Sequence, residues 1–206
     1  MARGKLIVIE GIDGSGKSTQ AKILFDELLR KGHNNVMLTA EPTNNGIGAI
    51  IRNDLKATGG NLDPRTMQLV FTADRSQHVL QIIEPRLANG STVICDRYYY
   101  STAAYAYAFG LNMEEFLHVN EVLFPKPSVV LIFDLPAEVA AGRIEVRNKK
   151  PERFENTELQ KRVREGYMKL ARLPRPQRGA VRVIDATASA DEVHSRVMEE
   201  VSRHIS

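Results

Sequence analysis

The chain has a single cysteine, Cys95, so no disulfide can form within it, and a reducing compartment, the cytoplasm, is the expected location. No apolar run approaches the eighteen or so residues of a membrane helix. The opening Met1-Ala2-Arg3-Gly4-Lys5 leads into a short apolar run without the longer stretch and small-residue cleavage site of a secretory signal. Internal repeats and low-complexity tracts are lacking too. What remains is a chain of 206 residues with ordinary globular composition, long enough for one domain with insertions.

Charge is uneven along it. The net charge of +3 conceals thirteen basic against five acidic residues between Arg143 and Arg182, so the rest of the chain is net acidic. A nucleic-acid-binding arm and an anion-binding lid both fit such a block.

Lys5–Glu10, Asn35–Ala40, Ser91–Cys95, Ser128–Phe133 and Ala180–Ile184 read as strands. Their runs are continuous rather than alternating, which points to strands covered on both faces in a parallel sheet. Helices are expected at Lys17–Lys31, Ile47–Ala57, Pro64–Leu87, Ser101–Phe109, Met113–Phe124, Pro136–Arg147, Thr157–Ala171 and Ala190–Ile205, with Pro85 kinking or ending the third. The fold class expected is α/β: a three-layer domain with a five-stranded, mostly parallel sheet and helices on both faces.

Between the first strand and first helix, Gly11-Ile12-Asp13-Gly14-Ser15-Gly16-Lys17-Ser18 matches GxxxxGK[ST], followed by Thr19. Glycines let backbone N–H groups turn inward around phosphate oxygens, and the helix N-terminus favours an anion. A nucleoside triphosphate is the expected ligand of residues 11–19, with Lys17 on the β- and γ-phosphates and Ser18 on Mg²⁺. GTPases, motors, transporters and kinases share this loop. A guanine-specifying Asn-Lys-x-Asp segment is absent, and a large motor needs more chain. Asp96-Arg97-Tyr98 follows the third strand, where ligands of open α/β sheets bind, so Asp96 is a metal candidate and Arg97 an acceptor-phosphate clamp. A plain Asp–Arg pair capping the strand is the simpler alternative.

Taken with Glu41-Pro42 and Phe71-Thr72-Ala73-Asp74-Arg75, these motifs closely resemble the thymidylate kinase family over nearly the whole length. The resemblance implies ATP- and Mg²⁺-dependent phosphorylation of dTMP to dTDP by a homodimer with a mobile basic lid, and neither nucleic acid nor membrane as a partner. It places Asp13 beside the acceptor sugar and Arg97, Phe71 on the thymine ring, and Arg75 on the base edge. Pro42, Ser101, Thr102 and Tyr105 complete the acceptor pocket. Tyr105 under the sugar would disfavour a 2′-hydroxyl.

In one subtype of the family the transition-state cation comes from the P-loop, where this chain has Gly14. The other subtype draws it from the lid, here about 143–156, which makes Arg147 and Arg153, with Lys149 and Lys150, the candidates. Arg143 and the Asp185-Ala186-Thr187 loop resemble residues along adenine, and Glu155 a metal or sugar contact. Lys161 onward reads as solvated surface. Ala40 and Ala106 stand where many relatives have arginine and glutamine, which leaves the breadth of pyrimidine acceptors open. A deoxynucleoside kinase is the nearest alternative, although that chemistry needs a carboxylate base, commonly in a Glu-Arg-Ser sequence where this chain has Asp96-Arg97-Tyr98. Another pyrimidine nucleoside monophosphate kinase is the other. A nucleotide-dependent nucleic-acid-binding protein would show a recognition motif, and none is readable.

Overall fold

Five strands, β1 (Leu6–Gly11), β2 (Val36–Ala40), β3 (Thr92–Asp96), β4 (Val129–Asp134) and β5 (Ala180–Asp185), pair in the order β2-β3-β1-β4-β5, all parallel. They belong to a computed structural model that describes residues 2–56, 62–146, 154, 156–174 and 180–205. β1 and β4 are sealed by helices on both faces, which is why Leu6–Ile9 and Val129–Phe133 read as unbroken apolar runs. β2 and β5 are the sheet edges; Val183 on β5 is 46% exposed, so coverage on both faces holds only for the inner strands.

The helices are α1 (Lys17–Arg30), α2 (Gly46–Lys56), α3 (Pro64–His78), α4 (Glu84–Ala88), α5 (Tyr99–Ala108), α6 (Met113–Leu123), α7 (Ala137–Glu145), α8 (Thr157–Arg172) and α9 (Ala190–Ser202). Their starts follow the local chemistry. Asp63, Asn112 and Asn156 each accept two backbone N–H bonds at the N-caps of α3, α6 and α8, and Ser189 with Glu192 forms a capping box on α9.

The single helix expected over Pro64–Leu87 is corrected. α3 runs into a π-helical turn, Val79–Ile83, before α4, and Glu84 N donates to Val79 O five residues back. Pro85 has no N–H and its ring crowds the carbonyl four residues earlier. A widened turn just before it admits the ring without breaking the rod.

The block of positive charge is also clarified. Arg164 donates to both oxygens of Asp134 at 2.6 and 3.1 Å, and Lys161 lies 3.0 Å from Glu138 and 2.8 Å from Glu158. Part of what reads as solvated surface therefore ties α8 to α7 and to the end of β4. Exposed pairs of this kind contribute little to stability.

Candidate active site

β1 and β3 lie side by side at the centre of the sheet, Ile9 opposite Asp96, so the loops leaving both strands open into one crevice at their carboxyl ends. In the loop after β1, Gly14 has φ +80° and a Cβ there would lie 2.3 Å from the Ala140 carbonyl oxygen on α7. That contact leaves no space for a side chain, so the cation that one family subtype carries here has no room in this chain. Gly16, at φ +92°, opens α1, whose first N–H groups have no earlier helical turn to bond and face an anion-ready groove.

Lys17 is buried, with Nζ donating to Ile12 O at 2.7 Å. Burial, together with neighbouring Arg97, lowers its ammonium to about 8, against the pull of Asp13, Asp96 and Glu10. Ser18 Oγ donates to Asp96 Oδ2 at 2.5 Å, while Asp96 Oδ1 is buried without a partner. A hydroxyl and an orphaned carboxylate oxygen are hard donors suited to Mg²⁺.

Arg97 adopts φ +69°, a left-handed conformation costing a non-glycine residue about 1–2 kcal/mol. It is held by Arg97 N donating to Ile9 O at 2.9 Å, and it aims the guanidinium so that Nη2 meets Asp13 Oδ1 at 2.5 Å. Burial pushes the Asp13 carboxyl up, but Arg97 and Lys17 outweigh it and hold it below its ordinary value. Tyr105 O–H donates to Asp13 Oδ2 at 3.0 Å, and burial beside that carboxylate pushes the phenol well up. Both groups therefore hold fixed charge states near neutral pH.

A cavity opens beyond this pair. Asp13, Pro42, Phe71, Arg97, Ser101, Thr102 and Tyr105 all line it, joined by Arg52, Leu55, Gln68 and Phe154. Arg75 is not on its wall. Its guanidinium is 1% exposed, with Nε donating to Glu41 Oε2 at 2.8 Å and Nη1 to Thr102 Oγ1 at 3.1 Å and Asn120 Oδ1 at 2.7 Å. Glu41, on the loop after β2, thus holds the guanidinium behind Thr102. On the other side of the glycine loop, Arg143 Nη2 donates to Ala186 O at 3.1 Å and Thr187 O at 3.4 Å, bordering a hollow that also contains Ser15, Gly16 and Thr19. Arg147, Lys149, Lys150, Arg153 and Glu155 lie outside the described residues.

The thymidylate kinase family model matches residues 9–197. The chain belongs to the thymidylate kinase family. It is 39% identical over 207 residues to a probable thymidylate kinase of Pyrococcus horikoshii, covering 98% of each chain, and 41% identical over 209 residues to a thymidylate kinase of Desulfosudis oleivorans, covering 96% of each. The crystal structure of thymidylate kinase from Ehrlichia chaffeensis superposes with a TM-score of 0.74 at 30% identity, over 97% of this chain and 99% of that one.

Within this family member, several groups that organise the site escape a motif reading. Glu10, fully buried, accepts from Tyr98 N, Ser101 N, Ser101 Oγ and Tyr167 O–H at 2.6–3.1 Å, and so locks the turn that presents Arg97 and Ser101. Burial pushes its carboxyl up despite these bonds. Gln160 takes the Asp13 N–H on Oε1 at 3.1 Å and places Nε2 3.2 Å from Asp13 Oδ2 and 2.6 Å from Phe154 O. One signal was available for Gln160: it shares the buried face of α8 with Val163, Tyr167 and Leu170, where an apolar residue is expected.

Proposed function

We propose that the cleft performs in-line phosphoryl transfer between two nucleotides whose phosphates meet at Asp13 and Arg97. The chain is an ATP-dependent dTMP kinase that produces dTDP. The observation that carries the arrangement is that the groove over the glycine loop and the cavity beyond it share Asp13, Pro42, Arg52 and Arg97, so a donor chain in one ends beside an acceptor phosphate in the other.

The glycine-loop amides and Lys17 hold the donor phosphates, while the hollow at Arg143 takes the adenine. Phe71, Pro42 and Thr102 enclose the acceptor base; Tyr105 packs at its sugar; Arg97 grips its phosphate. No strong base is needed, because the attacking phosphate oxygen is already anionic, and the ionised Asp13 serves to orient Arg97 and Tyr105. Ser18 and Asp96 are the residues that would hold Mg²⁺, which when bound neutralises charge on the phosphates. Transition-state charge from the lid, at Arg147 or Arg153, completes the proposal. No described helix is long and apolar enough to cross a membrane. A cytoplasmic location and a homodimer are part of this reading, the homodimer supported by exposed Leu69, Leu80, Val122 and Leu123 on α3, the π turn and α6.

A coupled ADP-release assay with dTMP, dUMP, dCMP, AMP and thymidine tests it. We expect turnover with dTMP and none with thymidine; turnover of thymidine but not dTMP would overturn the reading. The pH profile supplies a second check. Lys17 is charged below its pKa, so kcat/KM for ATP is expected to fall as pH rises through about 8 in the free enzyme. With ATP saturating, bound phosphate favours the ammonium and the fall in kcat moves to higher pH. A kcat/KM profile flat to pH 10 contradicts this assignment.

A further inference from the structure

Gln68 stands on α3 one turn before Phe71, and with Phe71 and Thr102 it lines the acceptor cavity. Its side chain is 1% exposed, yet Nε2 is buried without a hydrogen-bond partner. Among the described residues neither amide atom of Gln68 is bonded; only its main-chain carbonyl is engaged, accepting from Thr72 Oγ1 at 2.9 Å. Buried amides are normally satisfied, because a desolvated donor left unpaired is costly. An orphan on the wall of a ligand cavity is thus a group whose partner arrives with the ligand.

Thr102 beside it is set up in a complementary way. Its Oγ1 accepts from Arg75 Nη1 at 3.1 Å, and that guanidinium is fixed by Glu41 and Asn120. One of its two lone pairs is thus occupied, and the Thr102 hydroxyl hydrogen has no acceptor among the described residues. The wall therefore offers one hydroxyl donor and one free primary amide, which carries a donor and an acceptor side by side.

We propose that Gln68 is a specificity-determining residue whose side-chain amide hydrogen-bonds the polar edge of the acceptor pyrimidine, where a ring N–H adjoins a carbonyl. The proposal rests on the acceptor-cavity reading above and deepens it. A carbonyl takes the amide N–H while the ring N–H is received by the amide oxygen, and the Thr102 hydroxyl supplies a further donor.

The test pairs a variant with a trimmed substrate. Gln68→Met keeps length and volume but removes both polar atoms, and the 5′-phosphate of the 2-pyrimidinone deoxynucleoside lacks the C4 carbonyl and the N3 hydrogen. In the wild type, calorimetry should show dTMP binding about tenfold or more tighter than this analogue. In Gln68→Met, KM for dTMP should rise about tenfold with kcat within twofold, while KM for the analogue stays put, so the preference collapses. Melting of the ligand-free variant should be unchanged or higher, since an unpaired buried group is gone, whereas an amide with a structural role would lower it. Equal wild-type affinities for the two ligands, an unchanged KM for dTMP in the variant, or equal rises in both KM values would overturn the proposal. Absence of dTMP turnover by the wild type would instead overturn the acceptor reading itself, a distinguishable failure.

Discussion

Lys17→Met is expected to lower kcat by about a thousandfold, the largest effect of any single substitution on turnover. Phosphoryl transfer asks little covalent chemistry of the protein, so fixed positive charge near the moving group provides most of the acceleration. One preorganised donor in a water-excluded site is typically worth a factor of about 10²–10³. Lys17 stands at the upper end because it is a full charge, buried, and held in place by its bond to Ile12 O. Methionine retains the packing of the stem but carries no charge. The same burial that lowers the ammonium to about 8 makes the charge unfavourable in the ligand-free protein. The variant should accordingly melt no lower than the wild type while losing activity. Single-turnover kinetics with saturating ATP check this, and a loss in kcat below tenfold would remove Lys17 from the transfer step.

Arg75→Met should destabilise the fold by about 3–5 kcal/mol, the cost typical of leaving one partner of a buried ion pair alone. The Glu41 side chain is 2% exposed, and its oxygens meet Arg75 Nε at 2.8 Å and His78 Nδ1 at 3.0 Å. The guanidinium also lies 5.3 Å from the Tyr98 ring and 5.9 Å from the Phe124 ring, within range of a cation–π attraction. Its removal leaves the Glu41 carboxylate in the core with His78 as its remaining side-chain partner and leaves Thr102 and Asn120 each without a donor. For a chain of this size the melting temperature should drop by about 10 °C. Glu41→Gln with Arg75→Met should be less destabilised than the sum of the singles, as expected for coupled neighbours. Thermal melts of the three variants decide the matter; a loss under 1 kcal/mol for Arg75→Met would mean that the pair contributes little.

These two residues also mark how far a sequence can be read. Lys17 belongs to a local pattern: strand, glycine loop and helix are contiguous, so spacing alone exposes both structure and chemistry. Arg75 is equally conspicuous, four residues after Phe71, but its direction depends on Glu41, Thr102 and Asn120, which arrive from the loop after β2, from α5 and from α6. The guanidinium bonds the buried Glu41 carboxylate, and helical spacing cannot state that Glu41 is there. Gln160 is further from view, since it reaches Asp13 across 147 positions. Glu10 looks like the polar end of a strand until the turn after β3 folds back over it. The π turn before Pro85 escaped because a proline signals only that the α-helix must change, and a widened turn was one of several ways to change it.

What the sequence determined alone was set by short-range rules: where the apolar runs make strands, where Asp, Asn and Ser cap helices, and where the glycine loop with Lys17 and Ser18 makes a phosphate site. Tertiary structure decided which of the singled-out side chains share a wall and which retreat behind it. It set Arg97 against Asp13, turned Arg75 toward Glu41 and left the Gln68 amide unpaired beside Phe71. The physical reason is range. Backbone conformation answers to neighbours within a few residues, whereas the charge state, orientation and satisfaction of a buried polar group depend on partners that only the closed sheet and its helices bring within hydrogen-bonding distance.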